Sequence, residues 1–319
     1  MSLCVVGSIN ADLTVNVERH PTPGETLLGS GGGITAGGKG ANQAVAAAKL
    51  GTPVVLVGAT GTDANADPAT AILREAGVDM RHVEEVEEVT GLAVITVAAN
   101  GENTVLVVPG ANARVGAEFV DRHVEAVETA ELVLLQGEIP ADGFARAVEL
   151  ARGRVVINLA PVVDVPRKSL LAADPLMANE HEAGLILEQL GLDGAGTPEE
   201  LARRLLDAGF ASVVLTLGSA GALVATGEEL THIDSPKVEA VDTVGAGDSF
   251  AGAFCHRILE GDSMADAAAY ACRVVEFSVT RPGAQPSGRS GAPLQADDGR
   301  PRSRARGAGA VRATSAFGA

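Results

Sequence analysis

A chain of 319 residues, 46% of them hydrophobic, can bury a sizeable core in one large α/β domain or two small ones. Its formal charge of −17 argues against nucleic acid, whose phosphate backbone would be repelled, but not against a nucleotide. No apolar run reaches the roughly 20 residues that span a bilayer, and the three scattered cysteines (Cys4, Cys255 and Cys272), with no CxxC pair, read as buried thiols rather than disulfides or zinc ligands.

The first element is a strand-like run from Leu3 to Gly7. No basic segment precedes it and no signal-cleavage pattern follows, so the expected location is the cytoplasm. Asn10 and Asp12 come just after it, at the carboxyl end of a strand, where open α/β sheets bind ligands. Taken alone, Asn and Asp after a strand can equally be turn chemistry. Next comes GITAGGKGANQAVAAAKLG. It misses the phosphate loop G-x-x-x-x-G-K-[ST] by its last residue, where glycine stands in place of the magnesium-binding hydroxyl. An alanine-rich helix is expected over 41–50, which puts Lys39 and Asn42 at its start with donors facing a cleft.

The run 52–60 reads as a strand, followed by a helix near 65–76 capped by Thr62 or Asp63. Residues 91–112 hold two strand-like runs around Asn100-Gly101, a hairpin signal. With 13–35 they form either a small sheet lying over the main body as a lid or a meander packed on the core. The runs 131–138, 154–161 and 211–218 are short, β-branched and apolar on both faces, as in a parallel sheet covered by helices. The βα alternation predicts an α/β fold with a doubly wound, mostly parallel sheet flanked by helices.

The segment DTVGAGDSFAGAFCHRILE spans Asp242 to Glu260. Phe250, Phe254 and Ile258 recur every four residues and mark a helix's buried face. Gly245, Ala246 and Gly247 precede that face; small residues at a helix mouth let an anion approach free N–H groups. Asp248 in the first turn is by itself a routine complement to the helix dipole. Beside an anion site it has another use, accepting the proton of a hydroxyl that attacks phosphorus. Beyond Ser287 the sequence turns to glycine, alanine and six arginines without a periodic apolar face, and disorder is expected over 288–319. Other motifs fail: there is no usable G-x-G-x-x-G and no G-x-S-x-G, and His181-Glu182 meets Leu185 where a zinc-protease helix needs its second histidine.

GSINADLTVNVERHPTPGET, AGGKGANQAVAAAKLG, GENTVLVVPGAN, VDTVGAGDSFAGA and VTRPGAQPS together resemble segments of the PfkB family of carbohydrate kinases, in that family's order. The resemblance covers roughly residues 3–287, residues 1–287 are read as one kinase domain, and GGKGANQ beside GSINAD is most similar to the family's ribokinase group. It implies a ribokinase-like fold and ATP-dependent phosphorylation of D-ribose at the 5-hydroxyl. Asp248 would be the base, and the N–H groups of Gly245, Ala246 and Gly247 the anion hole. Asn10, Asp12, Gly38, Lys39, Asn42 and Glu138 would bind the sugar, so Lys39 resembles a sugar-side residue rather than a phosphate-loop lysine. Asn179 and Glu182 would stand near the phosphates and magnesium water. Thr216, Gly218, Ser219, Gly221, Gly247 and Cys272 would border the nucleotide. Potassium is implied beside the anion hole at Asp242, Val244, Ser278, Arg281, Gly283 and Ser287. A homodimer through the lid is implied as well.

The chain departs from the family pattern at two places: the arginine-glycine tail replaces a last packed helix, and Asn158-Leu159-Ala160-Pro161 replaces the usual Asn-Pro-Ala-Pro. A related kinase acting on deoxyribose, fructose or a nucleoside stays open as an alternative, as does a non-catalytic sugar-binding protein. The lack of tryptophan and the single tyrosine weigh against a base-stacking nucleoside pocket.

Overall fold

The computed structural model describes residues 2–227, 229–235 and 244–279. Thirteen strands among them fall into two sheets. The first, β1 (Leu3–Val6), is buried along its whole length. β2 (Asn10–Val17), β3 (Gly31–Gly37) and α1 (Lys39–Lys49) follow, then β4 (Val54–Gly61), α2 (Ala66–Glu75), β5 (Asp79–Val86), β6 (Gly91–Ala98) and β7 (Asn103–Val108). The middle of the chain supplies α3 (Ala117–Arg122), α4 (Val124–Glu128), β8 (Leu132–Gln136), α5 (Ala141–Leu150), β9 (Arg154–Asn158) and α6 (Arg167–Leu170). After these come β10 (Leu176–Asn179), α7 (Glu180–Gln189), α8 (Pro198–Ala208), β11 (Ser212–Thr216), β12 (Ala222–Thr226) and β13 (Glu229–Ile233). The helices α9 (Ala246–Leu259) and α10 (Met264–Val279) complete the described elements.

The large sheet runs β13-β12-β11-β10-β9-β8-β1-β4-β5. All of its pairings are parallel except β11–β12 and β12–β13, which form an antiparallel edge. Successive strand residues point to opposite faces, so β1 feeds two cores at once. Cys4 and Val6 join Phe119, Phe144, Ile186 and Leu205 beneath α3, α5, α7 and α8. Leu3 and Val5 join Val45, Leu73, Phe250, Phe254 and Ala271 beneath α1, α2, α9 and α10. The sheet is therefore covered on both faces, as the run of apolar strands predicts. Phe250 and Phe254 are buried on the inner face of α9, as their spacing requires, and Ile258 packs at its margin.

The small sheet has the order β3-β2-β6-β7. It contains the expected hairpin: Gly101 takes φ 86° in the turn, and Asn100 Oδ1 accepts the Glu102 N–H at 3.0 Å. β7 is exposed along its length, so this is a separate layer and not a meander packed on the core. Asn10 and Asp12, left open between a ligand site and turn chemistry, begin β2 and pair with Gly37 and Thr35 of β3. One expectation needs correction: neither Thr62 nor Asp63 caps α2. Its N-cap is Asn65, and the Asp63 carboxylate is used on the Asn65 and Thr90 N–H groups at 2.9 and 2.6 Å, tying the strand end to the β6 side. The segment 288–319 lies outside the described residues.

Candidate active site

Two helix amino termini meet at the carboxyl ends of the central strands. The first is that of α1. Gly38, its N-cap, sits at φ 87°, and a Cβ there would lie 2.8 Å from the Asn10 nitrogen. With no side-chain cap of its own, α1 is capped from elsewhere in the fold: Glu138 Oε2 accepts the Lys39 N–H at 3.0 Å, and Ser8 Oγ accepts the Gly40 N–H at 3.2 Å. Ser8 in turn donates its hydroxyl to Glu138. A carboxylate at this end also complements the helix dipole.

The second terminus is that of α9. Gly245 takes the left-handed conformation at φ 73°, which only glycine adopts without strain, and turns the chain into the helix. The first N–H groups of such a helix have no intrahelical acceptor and project into the mouth. A Cβ on Gly247 would meet nothing within 4 Å, so its backbone borders open space. Asp248 is 5% exposed, and its two oxygens accept from α1: Oδ2 from Asn42 Nδ2 at 3.0 Å and Oδ1 from Gln43 Nε2 at 2.9 Å.

These parts line one cleft. Lys39 comes from α1, Asn179 and Glu182 from the start of α7, Thr216 from β11, and Gly245 through Asp248 from α9. Asn179 and Glu182 form a capping box: Asn179 Oδ1 accepts the Glu182 N–H at 2.8 Å, and Glu182 Oε2 accepts the Asn179 N–H at 2.9 Å. Both side chains are thereby held at the wall. Burial works against the charge on Lys39, but Asp248, Glu138 and Glu182 hold its ammonium above the ordinary lysine value. Lys39 therefore stands between the Glu138 side and the wall of Glu182 and Asp248.

Asp12, which the resemblance assigns to sugar binding, lies near the carboxylates of Glu138 and Asp248. Burial, with Glu138 and Asp248 as like charges nearby, pushes its carboxyl up to about 6. Its Oδ1 is buried with no hydrogen-bond partner among the described residues, an arrangement that a ligand hydroxyl would relieve. Asn10 is buried, and its Oδ1 accepts from Asn112 Nδ2 at 2.7 Å.

Other predicted residues are not among those that line this cleft. Gly218 and Ser219 form a short turn after β11, and Gly221, at φ 96°, returns the chain to β12. Cys272 packs in the core with α9 and α10, and burial pushes its thiol up to about 11. Ser278 is buried, its hydroxyl 3.3 Å from that of Ser249, and Val244 precedes the α9 mouth. Asp242, Arg281, Gly283 and Ser287 lie outside the described residues.

Sequence reasoning passed over Ser8, Gln43, Asn112, Gln136 and Asn158. Four of them are buried polar residues, and Asn158 is half-buried. The available signal was a polar side chain inside an otherwise apolar stretch, as in LVLLQ and RVVIN.

Comparison with known proteins gives a consistent picture. Residues 1–290 match the family described as pfkB family carbohydrate kinase. A ribokinase of Schizosaccharomyces pombe is 36% identical over 302 residues, covering 90% of this chain and 94% of that protein. A deoxyribokinase of Salmonella typhimurium is 35% identical over 292 residues, covering 90% and 95%. Among solved structures, the ribokinase of Thermotoga maritima superposes with a TM-score of 0.84 at 32% identity, covering 89% of this chain and 95% of that one. The Arabidopsis thaliana ribokinase complexed with ribose and ATP superposes with a TM-score of 0.81 at 33% identity, covering 89% and 94%.

Proposed function

The chain belongs to the pfkB family of carbohydrate kinases, and we propose that it is a ribokinase, transferring the γ-phosphoryl group of ATP to the 5-hydroxyl of D-ribose. The observation that carries this reading is the buried Asp248 carboxylate at the mouth of α9, facing the end of α1 that bears Lys39 and Asn42.

The chemistry follows from that geometry. The 5-hydroxyl approaches Asp248, which takes its proton as the oxygen attacks the γ-phosphorus and the bond from that phosphorus to the bridging oxygen breaks, ADP leaving with the electron pair. The N–H groups at the start of α9 stabilise the charge developing on the transferred group, and donors aimed at such charge are each worth roughly 3–4 kcal/mol of barrier. Lys39, kept charged by its three carboxylate neighbours, adds a cation beside the same atoms. Asp12 and Asn10 hold the sugar's other hydroxyls, with the unpaired Oδ1 of Asp12 as an acceptor in waiting.

Among the described residues no group of three acidic, histidine or cysteine side chains could cage a metal. Magnesium usually arrives on substrate phosphates, reached by one or two carboxylates and water, and Glu182 at the cleft wall suits that role. When bound, magnesium neutralises phosphate charge. Potassium activation and a homodimer through the exposed small sheet, where Leu106 is 71% exposed, complete the reading.

The test is a coupled ADP-release assay on ribose, 2-deoxyribose, fructose and a nucleoside, run in potassium and in a large organic cation. Ribose should give the highest kcat/KM, raised by potassium. Preference for 2-deoxyribose, which the Salmonella relative makes the second reading, would move the substrate assignment. Absence of ADP release with every sugar would overturn the kinase.

A further inference from the structure

We infer that Gln43 is a positioning residue for the phosphoryl-transfer step: its side-chain amide, locked by Gln136 and Asn158, aims the Asp248 carboxylate at the sugar hydroxyl. This rests on the reading of Asp248 as the base.

Gln43 lies in the first turns of α1 and is fully buried among alanines. A glutamine in such a place must have its hydrogen bonds satisfied, and here each bond has one possible direction. A carboxylate accepts only, so the atom 2.9 Å from Asp248 Oδ1 is the amide nitrogen. The same nitrogen donates to Asn158 Oδ1 at 2.9 Å. Asn158 is itself fixed, because its Nδ2 donates to the Met177 carbonyl at 3.1 Å. The Gln43 oxygen then accepts Gln136 Nε2 at 2.7 Å. Gln136 ends β8 and Asn158 ends β9, two adjacent central strands. The amide chain therefore ties Asp248 to the sheet itself and not to a loop.

Packing alone does not account for this arrangement. Gly252 sets the spacing of α1 and α9, where a Cβ would lie 2.5 Å from Ala46 Cβ and 2.7 Å from the Gln43 carbonyl oxygen. The Gln43 side chain is not needed as a spacer; it reaches out along the carboxylate. With Asn42 on the other oxygen, both oxygens of Asp248 are held, and the carboxylate cannot rotate away from the cleft. Charged neighbours could not do this neutrally. Lys39 faces Asp248 from α1, while Asp12 and Glu138 add negative charge from β2 and from the segment after β8, and Glu182 adds more through Lys39. An amide supplies a donor without adding to this set of charges. A side chain held in this way keeps the reacting groups within the narrow geometry that transfer needs.

The experiment measures kcat and KM for ribose from about pH 5.5 to 9 in the full chain, with Gln43→Leu, Gln43→Glu and Asp248→Asn. Gln43→Leu should lose about 10- to 100-fold in kcat, the loss expected for one hydrogen bond to a charged group, with KM within about threefold. Gln43→Glu keeps the acceptor for Gln136. While protonated, the introduced carboxyl can still donate to Asp248. As pH rises it ionises and sets a like charge against Asp248, so the ratio of variant to wild-type kcat should fall with pH. A role confined to packing would give profiles parallel to wild type and a lowered melting temperature.

If Gln43→Leu does not fold, the pH dependence of the Gln43→Glu ratio decides. Parallel profiles, or a Gln43→Leu kcat within about threefold of wild type, overturn the positioning role. Should Asp248→Asn lose turnover while both Gln43 variants keep it, the base stands and only Gln43's part falls. Should Asp248→Asn keep full turnover, the base reading falls first and the positioning role with it.

Discussion

Lowering the pH should weaken ribose binding, and Asp12 sets the range. Its carboxyl is pushed up to about 6 by burial and by Glu138 and Asp248, against 3.8 for the free group. Its buried Oδ1 has no partner among the described residues until a hydroxyl donates to it. A hydroxyl donor favours the ionised carboxylate, so sugar binding must compete with the proton. If only the ionised form binds, the apparent Kd scales as 1 + 10^(6−pH), which is about 11 at pH 5 and about 1.1 at pH 7. Ribose should therefore bind about tenfold more weakly at pH 5 than at pH 7, with little change above pH 7.

The empty protein responds with the opposite sign. The folded carboxyl binds more protons than the unfolded one between about 3.8 and about 6. This group's contribution to stability therefore grows as pH falls through that window and is lost as pH rises through it. Isothermal titration with ribose in two buffers of different ionisation heat would report both the affinity and the proton released, about half a proton per sugar at pH 6. Asp12→Asn should bind ribose weakly and without pH dependence. A Kd that stays flat between pH 5 and 7, or binding that releases no proton, would refute the argument that this buried oxygen waits for a sugar hydroxyl.

Asp248→Asn should lower kcat by about 10²- to 10⁴-fold, the usual contribution of a positioned base, while calorimetry shows ribose affinity nearly kept. Gly252→Ala should destabilise the fold by about 1–3 kcal/mol in urea unfolding, because its methyl would overlap Ala46 Cβ and the Gln43 carbonyl. The same variant should lose kcat, since it separates Gln43 from Asp248. Phe254→Ala, at a fully buried position, should cost about 3–5 kcal/mol by the same method, with kcat of the folded fraction altered far less.

Much of the fold could be read along the chain because burial is written with a local period. The apolar runs at 131–138, 154–161 and 211–218 became β8, β9 and β11, and the four-residue repeat of Phe250 and Phe254 became the inner face of α9. The glycines of both helix mouths were visible for a similar reason: a left-handed turn at Gly38 or Gly245 is a property of its own residue. Asn10 and Asp12 stood out as polar residues after the first strand, but nothing local reveals that they begin a second strand paired with β3.

The partners of Asp248, the proposed base, belong to a different class of information. Asn42 and Gln43 meet Asp248 across about two hundred residues of chain, and Glu138 reaches back to cap α1. Glutamine 43 looks like any polar residue at the start of an alanine-rich helix until the α1–α9 approach turns it inward. Spacing in the chain dictates which groups face a core or open a helix. Which donor meets which acceptor depends on strand order and helix packing, because hydrogen bonds act over about 3 Å in space and carry no trace of separation along the chain.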